Sequence, residues 1–157
     1  MRKVFPRPYL EVVNEVGQTY GLETSLIYAV IHAESNFRET AVSPAGAKGL
    51  MQITDETGEF IRKRLDLVEY TSEDLFNPET NILMGTHYLN YLMGRFSEKK
   101  TILAAYNAGP NRVQKWLDDE SISDGTNLNL IPFEETKEYV DRVILRQRIY
   151  DVLYWLN

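Results

Sequence analysis

Glu34 is the residue in this chain best placed for acid–base chemistry. Val30, Ile31 and Ile27 lie at i−4, i−3 and i−7 from it, so helical spacing puts its carboxyl on an apolar stripe. The same spacing places it in the last turn of its helix, where the macrodipole is negative. Apolar surroundings and a negative helix end both disfavour the ionised form, so both push the pKa upward. A carboxylic acid still protonated near neutral pH can protonate a glycosidic oxygen. The pattern equally fits a glutamate that swings to solvent at a fraying helix end, because charged side chains avoid full burial.

Two other stretches carry polar groups in unusual settings. GAKGLMQ holds Gly46 and Gly49, which let backbone approach a ligand closely, and Gln52, whose amide both donates and accepts. It also reads as a plain turn with Leu50 and Met51 in the core. In AAYNAGP, Tyr106 and Asn107 can bind a polar ring or simply end a helix. Ten tyrosines against six phenylalanines suggest amphipathic aromatic surfaces of the kind that stack on carbohydrate.

Other chemistries find little support. Cysteine is absent, which excludes disulfides, thiolate metal sites and a cysteine nucleophile. The two histidines, His32 and His87, are too few and too far apart for an HExxH-type metal site. His32 sits mid-helix among apolar residues and reads as structural. No GxSxG elbow, P-loop or GxGxxG occurs, so no cofactor or metal is expected.

The elements that must position these residues are helical nearly throughout, with no sustained period-two stretch. A first helix ends at Gly21 and a second is predicted over 24–34. SPAGAKGL (43–50) breaks the pattern as a turn or loop. Thr54 caps a helix carrying Phe60, Ile61 and Leu65. Asn77-Pro78 starts another that ends near Gly94. Short helices are expected over 102–106 and 113–117, a polar, flexible surface excursion over 118–131, and a last helix over 135–156. Tyr139, Val143, Tyr150 and Leu153 hold apolar positions of that last helix.

Composition sets the frame. At 157 residues, 43% hydrophobic and 25% charged, the chain reads as one soluble globular domain, 1–157, large enough to need no metal or disulfide staple. A net charge of −6 offers no electrostatic footprint for nucleic acid. No apolar run approaches the roughly 20 residues needed to span a bilayer. The opening MRKVFPRPYL is basic but lacks the apolar core of a signal peptide. Nothing in the pattern demands association, so a monomer is expected.

Taken in order, five motifs resemble the soluble lytic transglycosylase (SLT) catalytic domain: ESNF (34–37), SPAGAKGLMQI (43–53), NPETNILMGTHYL (77–89), AAYNAGPNRV (104–113) and IPFEETKEYV (131–140). The resemblance covers roughly residues 5–150. It implies a mainly α, lysozyme-like fold with little or no sheet and a cleft for peptidoglycan glycan strands. It implies that Glu34 is the sole catalytic acid/base. The reaction would cleave the β-1,4 bond between N-acetylmuramic acid and N-acetylglucosamine without water and leave a 1,6-anhydro end.

By position, Ser43 matches a serine that helps orient the N-acetyl region. Met51 and Gln52 match groove residues of the GLMQ motif, and Tyr106 and Asn107 those of AYNAG. Tyr139 matches a tyrosine that reaches the acid from the last helix. The compartment implied is the cell envelope or outside, periplasmic in a Gram-negative cell, with an export signal or anchor expected outside this stretch. Two other readings stay open: a hydrolytic muramidase like the goose-type lysozymes, with an acid such as Asp55, Glu56 or Glu59 at the groove, and a non-catalytic wall-binding component.

Overall fold

A computed structural model of the chain describes Met1 and residues 3–154. Seven α-helices and one 3-10 turn occur among the described residues: α1 Leu10–Tyr20, α2 Thr24–Glu34, α3 Asp55–Arg64, the 3-10 turn Ser72–Phe76, α4 Pro78–Arg95, α5 Lys99–Ala108, α6 Pro110–Leu117 and α7 Glu134–Tyr154. Strand structure among the described residues is limited to bridges between single residues. The expected end of the last helix, at Leu156, lies outside the described residues. The chain divides into two compact units, bounded as Met1–Tyr88 with Arg146–Asn157, and Leu89–Leu145.

The helix boundaries follow from local chemistry. Gly21 stops α1 in the left-handed region, φ 65°, which a residue without Cβ enters freely. Thr54 caps α3 by accepting from Thr57 N at 3.2 Å, and Asn77 Oδ1 accepts from Thr80 N at 2.9 Å at the start of α4. Helix α5 begins three residues before the expected 102 because Glu98 accepts from Thr101 N at 3.2 Å. Pro110 starts α6, where its missing N–H costs nothing.

In the first unit α2 is the central element. Leu26 to His32 are all buried, so this helix is apolar all round rather than along one stripe. Three tyrosines bind the N-terminal segment to α2 and α7. Tyr28 donates to Pro8 O at 3.0 Å, Tyr150 to Pro6 O at 3.1 Å and Tyr154 to Phe5 O at 2.7 Å. The tyrosine-rich composition therefore serves packing and backbone capture here, since Tyr28 and Tyr150 are buried.

In the second unit α5 supplies the core with Ile102, Leu103, Ala104 and Ala105. Trp116 of α6 meets Phe133 edge-on at 5.2 Å. The 118–131 segment lies largely at the surface, as expected from its composition, and its turns are defined by side-chain bonds to the backbone. Asp119 accepts from Ser121 N at 2.9 Å, and Asp124 accepts from Thr126 N and Asn127 N at 2.9 and 2.7 Å. Ser123, Leu128 and Ile131 are buried, so the segment is a sequence of side-chain-locked turns.

Candidate active site

Glu34 is the last residue of α2 and is half-buried. Seven consecutive buried residues, Leu26 to His32, make the helix a rigid mount for Glu34. The negative end of α2 is met by a cation, because Arg146 Nη1 donates to His32 O at 2.8 Å. That charge comes from α7, and nothing in the α2 sequence announced it.

His32, two residues earlier in α2, is structural. It is 6% exposed and ringed by Phe5, Phe37 and Tyr150 at centroid distances of 5.0, 5.4 and 6.1 Å. Burial, helped by the nearby Arg146 charge, pushes its pKa down to about 4. It is neutral at physiological pH and adds no charge beside the acid.

The chain turns sharply after Glu34. Ser35 is buried, and its hydroxyl donates to Leu50 O at 2.8 Å. Asn36 and Phe37 both have positive φ, 50° and 64°, a conformation costly for residues with a Cβ. Ring contacts of Phe37 with His32 and Tyr28, at 5.4 and 6.4 Å, hold it there. The strain lies within three residues of the candidate acid.

The Gly-rich stretch folds into a compact loop over residues 41–53. Single-residue bridges pair Lys48 with both Val42 and Ile53. Gly49 has φ 74°, and a Cβ there would overlap Leu75 O and the Asn81 amide, so no other residue fits. Lys48, 17% exposed at its side chain, pairs with Asp55 at 3.0 Å and also bonds Ser72 Oγ, which pins the loop to the start of α3.

Within this loop Ser43 accepts from Ala47 N at 3.1 Å and stays half-exposed. Met51 is fully buried and packs against Gly85 of α4, where a Cβ would lie 2.7 Å from Met51 Cβ. Gln52, at φ 52°, donates its amide N–H groups to Ala41 O and Gly49 O at 3.1 and 2.9 Å. The structure thus brings Ser43, Met51 and Gln52 into one loop joined through Ser35 to the end of the Glu34 helix. Both Met51 and Gln52 build the loop itself.

The remaining three predicted residues lie in the second unit. Tyr106, buried, and Asn107, half-buried, end α5. Thr136 of α7 donates to Asn107 Oδ1 at 2.8 Å and so fixes the carboxamide. Tyr139, one turn further along α7, is buried, with the Arg142 guanidinium 5.9 Å from its ring centre. Asn81 and Ser35 were not singled out from the sequence, although both stand in quoted motifs. The signal that could have found Asn81 is an amide on an otherwise apolar face of α4.

Comparison with known proteins bears on this arrangement. A family model described as the transglycosylase SLT domain matches residues 11–129, about three quarters of the chain. The chain belongs to the transglycosylase SLT family. The soluble lytic murein transglycosylases of Escherichia coli K12 and Salmonella typhimurium are 36% and 35% identical over 154 residues. Each match covers 96% of this chain and 23% of the relative. The membrane-bound lytic murein transglycosylase C of Haemophilus ducreyi is 30% identical, with 94% and 47% covered.

Solved structures agree with this assignment. The 70 kDa soluble lytic transglycosylase of E. coli superposes with TM-score 0.86 and 33% identity, covering 97% of this chain and 25% of that one. An inactive glutamate-to-glutamine mutant of the Pseudomonas aeruginosa lytic transglycosylase Slt gives 0.84 and 31%, covering 94% and 24%. The mainly helical, lysozyme-like SLT class expected from the sequence therefore holds. The chain spans about a quarter of the length of these soluble relatives.

Proposed function

We propose that residues 1–157 act as a catalytic domain that cleaves peptidoglycan glycan strands as a lytic transglycosylase, with Glu34 as sole acid and base. The observation that carries the reading is the half-buried Glu34 at the end of a buried helix, in a chain of the SLT family. Relatives named lytic murein transglycosylases support the reaction class and a place in the cell envelope. An inactive glutamate-to-glutamine mutant of one relative supports a glutamate as the acid. Ser43, Met51 and Gln52 in one unit, and Tyr106, Asn107 and Tyr139 in the other, are proposed as substrate-binding residues. Since Met51 is fully buried, its contribution is to set the loop backbone.

In the mechanism Glu34 gives its proton to the oxygen of the β-1,4 bond between N-acetylmuramic acid and N-acetylglucosamine. The C1–O bond breaks and the N-acetylglucosamine hydroxyl leaves. The muramic acid C6 hydroxyl then attacks C1 and passes its proton to the Glu34 carboxylate, which restores the acid and closes a 1,6-anhydro ring. No water is consumed. An intramolecular hydroxyl reaches effective molarities on the order of 10⁵–10⁸ M when well aligned, which lets it outrun water. A second catalytic carboxylate, required by most glycosidases, has no step to perform.

Mass spectrometry of fragments released from purified peptidoglycan tests this. Products one water lighter than muramidase standards, absent with Glu34→Gln, are expected. Products with free reducing ends would replace the reading with a hydrolytic one. Undiminished cleavage by Glu34→Gln would remove Glu34 from the mechanism.

A further inference from the structure

We propose that Asn81, on α4, is a positioning residue for Glu34 that acts through the 41–53 loop and the Ser35 hydroxyl. The inference rests on the reading of Glu34 as the acid/base. Asn81 is fully buried, and its carboxamide makes three hydrogen bonds to backbone, two of them to residues 30 and 33 positions away. Oδ1 accepts from Met51 N at 2.6 Å, while Nδ2 donates to Lys48 O at 2.9 Å and Leu75 O at 2.8 Å. An acceptor and two donors in one short planar fork is a combination only asparagine offers at this length.

The loop is held at two adjacent residues. Asn81 grips Met51 N from the α4 side, and Ser35 grips Leu50 O at 2.8 Å from the α2 side. Ser35 is the residue next to Glu34. A displacement of the Leu50–Met51 segment therefore reaches the acid through one hydrogen bond and one peptide unit. Gly49 completes the fit, because a Cβ there would collide with the same Asn81 amide and Leu75 carbonyl. Buried polar networks satisfied in this way fix one geometry rather than a family of them.

This geometry matters to the proposed reaction because Glu34 must serve twice, first toward the leaving oxygen and then toward the C6 hydroxyl. Loosening its mount hurts the second, more demanding alignment and lets water compete. Loss of folded protein lowers both products equally, so the ratio of 1,6-anhydro to reducing-end products separates positioning from mere structural support.

The test compares the parent chain with Asn81→Asp, Asn81→Ala, Ser35→Ala and Glu34→Gln on purified glycan strands, with rates normalised to folded protein. Misplacement by about an ångström costs about 10–100-fold in turnover, so that loss in kcat is expected for Asn81→Ala with KM changed by less than about threefold. Ser35→Ala should move both kcat and the product ratio in the same direction. Asn81→Asp should recover relative to the parent as pH falls, since a protonated carboxyl regains one donor. Where Asn81→Ala does not fold, Asn81→Asp and Ser35→Ala decide.

A parent that makes anhydro product and an inactive Glu34→Gln, beside Asn81→Asp and Ser35→Ala with unchanged kcat and product ratio, would overturn the positioning role alone. A parent giving only reducing-end products, or a fully active Glu34→Gln, would overturn both this inference and the function it rests on.

Discussion

Alanine at Gly58 should destabilise the chain, yet stabilise it once Tyr70 is phenylalanine. Gly58 lies inside α3, and a Cβ built there overlaps the Tyr70 hydroxyl oxygen, with the next neighbours, Tyr70 Cζ and Leu75 Cδ1, at 3.4 and 3.5 Å. The hydroxyl oxygen is buried and has no hydrogen-bond partner among the described residues. Burial, with the carboxylates of Asp55, Asp74 and Glu59 nearby, pushes its pKa up to about 12, so it stays a neutral phenol that must be moved bodily. Displacing the ring costs about 2–3 kcal/mol against a helix-propensity gain of about 1 kcal/mol, a net loss of about 1–2 kcal/mol. Tyr70→Phe removes the oxygen and should itself gain about 1 kcal/mol by deleting an unsatisfied buried hydroxyl. In that background the new methyl meets only ordinary contacts, and Gly58→Ala should gain about 1 kcal/mol, a coupling of about 2–3 kcal/mol. Urea denaturation of the four proteins measures this directly. Additive effects within about 0.5 kcal/mol, or a Tyr70→Phe variant less stable than the parent, would refute the reasoning.

Stability should also fall on mild acidification because of His32. Its pKa is near 4 in the folded chain against an ordinary 6.5, so the unfolded state binds more protons between those values. Stability from this group is complete above pH 6.5 and is lost as pH falls toward 4, by about 3 kcal/mol, with no further loss below. Denaturation midpoints between pH 4 and 7, compared with His32→Gln, check the slope, and an NMR titration of the ring checks the pKa. Gly49→Ala combines a left-handed backbone with overlap of the Asn81 amide and Leu75 O, and should cost more than about 4 kcal/mol or prevent folding. Thermal denaturation decides, and a well-folded variant with a Tm near the parent's would show that the loop relocates.

Much of the helix pattern was legible because its punctuation is local. Gly21, Thr54 and Asn77-Pro78 set boundaries by interactions within four residues, and α2 occupies the expected 24–34 for the same reason. The 118–131 stretch was legible as surface from its polar composition, but the turns that Asp119 and Asp124 define were not, because composition looks the same whether side chains face solvent or bond turn backbone. The 3-10 turn at Ser72–Phe76, nucleated by reciprocal bonds between Thr71 and Asp74, is too short to leave a periodic trace. At the site, Glu34 could be picked out because an acid ending an apolar run is conspicuous. Ser35 and Arg146 could not, because their partners lie 15 and 114 residues away, and Asn81 shows in the sequence as an amide on an apolar face with no sign of its partner 30 residues away.

The Tyr150 and Tyr154 hydroxyls that capture the Pro6 and Phe5 carbonyls bring the N-terminal segment against the end of α7. The N-terminal segment and the last turn of α7 are thus neighbours within the first unit, like the two legs of a plug. A pulling force applied between the segment before Phe5 and the last turn of α7 would load the Tyr150 and Tyr154 bonds before it reached Tyr28, on the helix that carries Glu34.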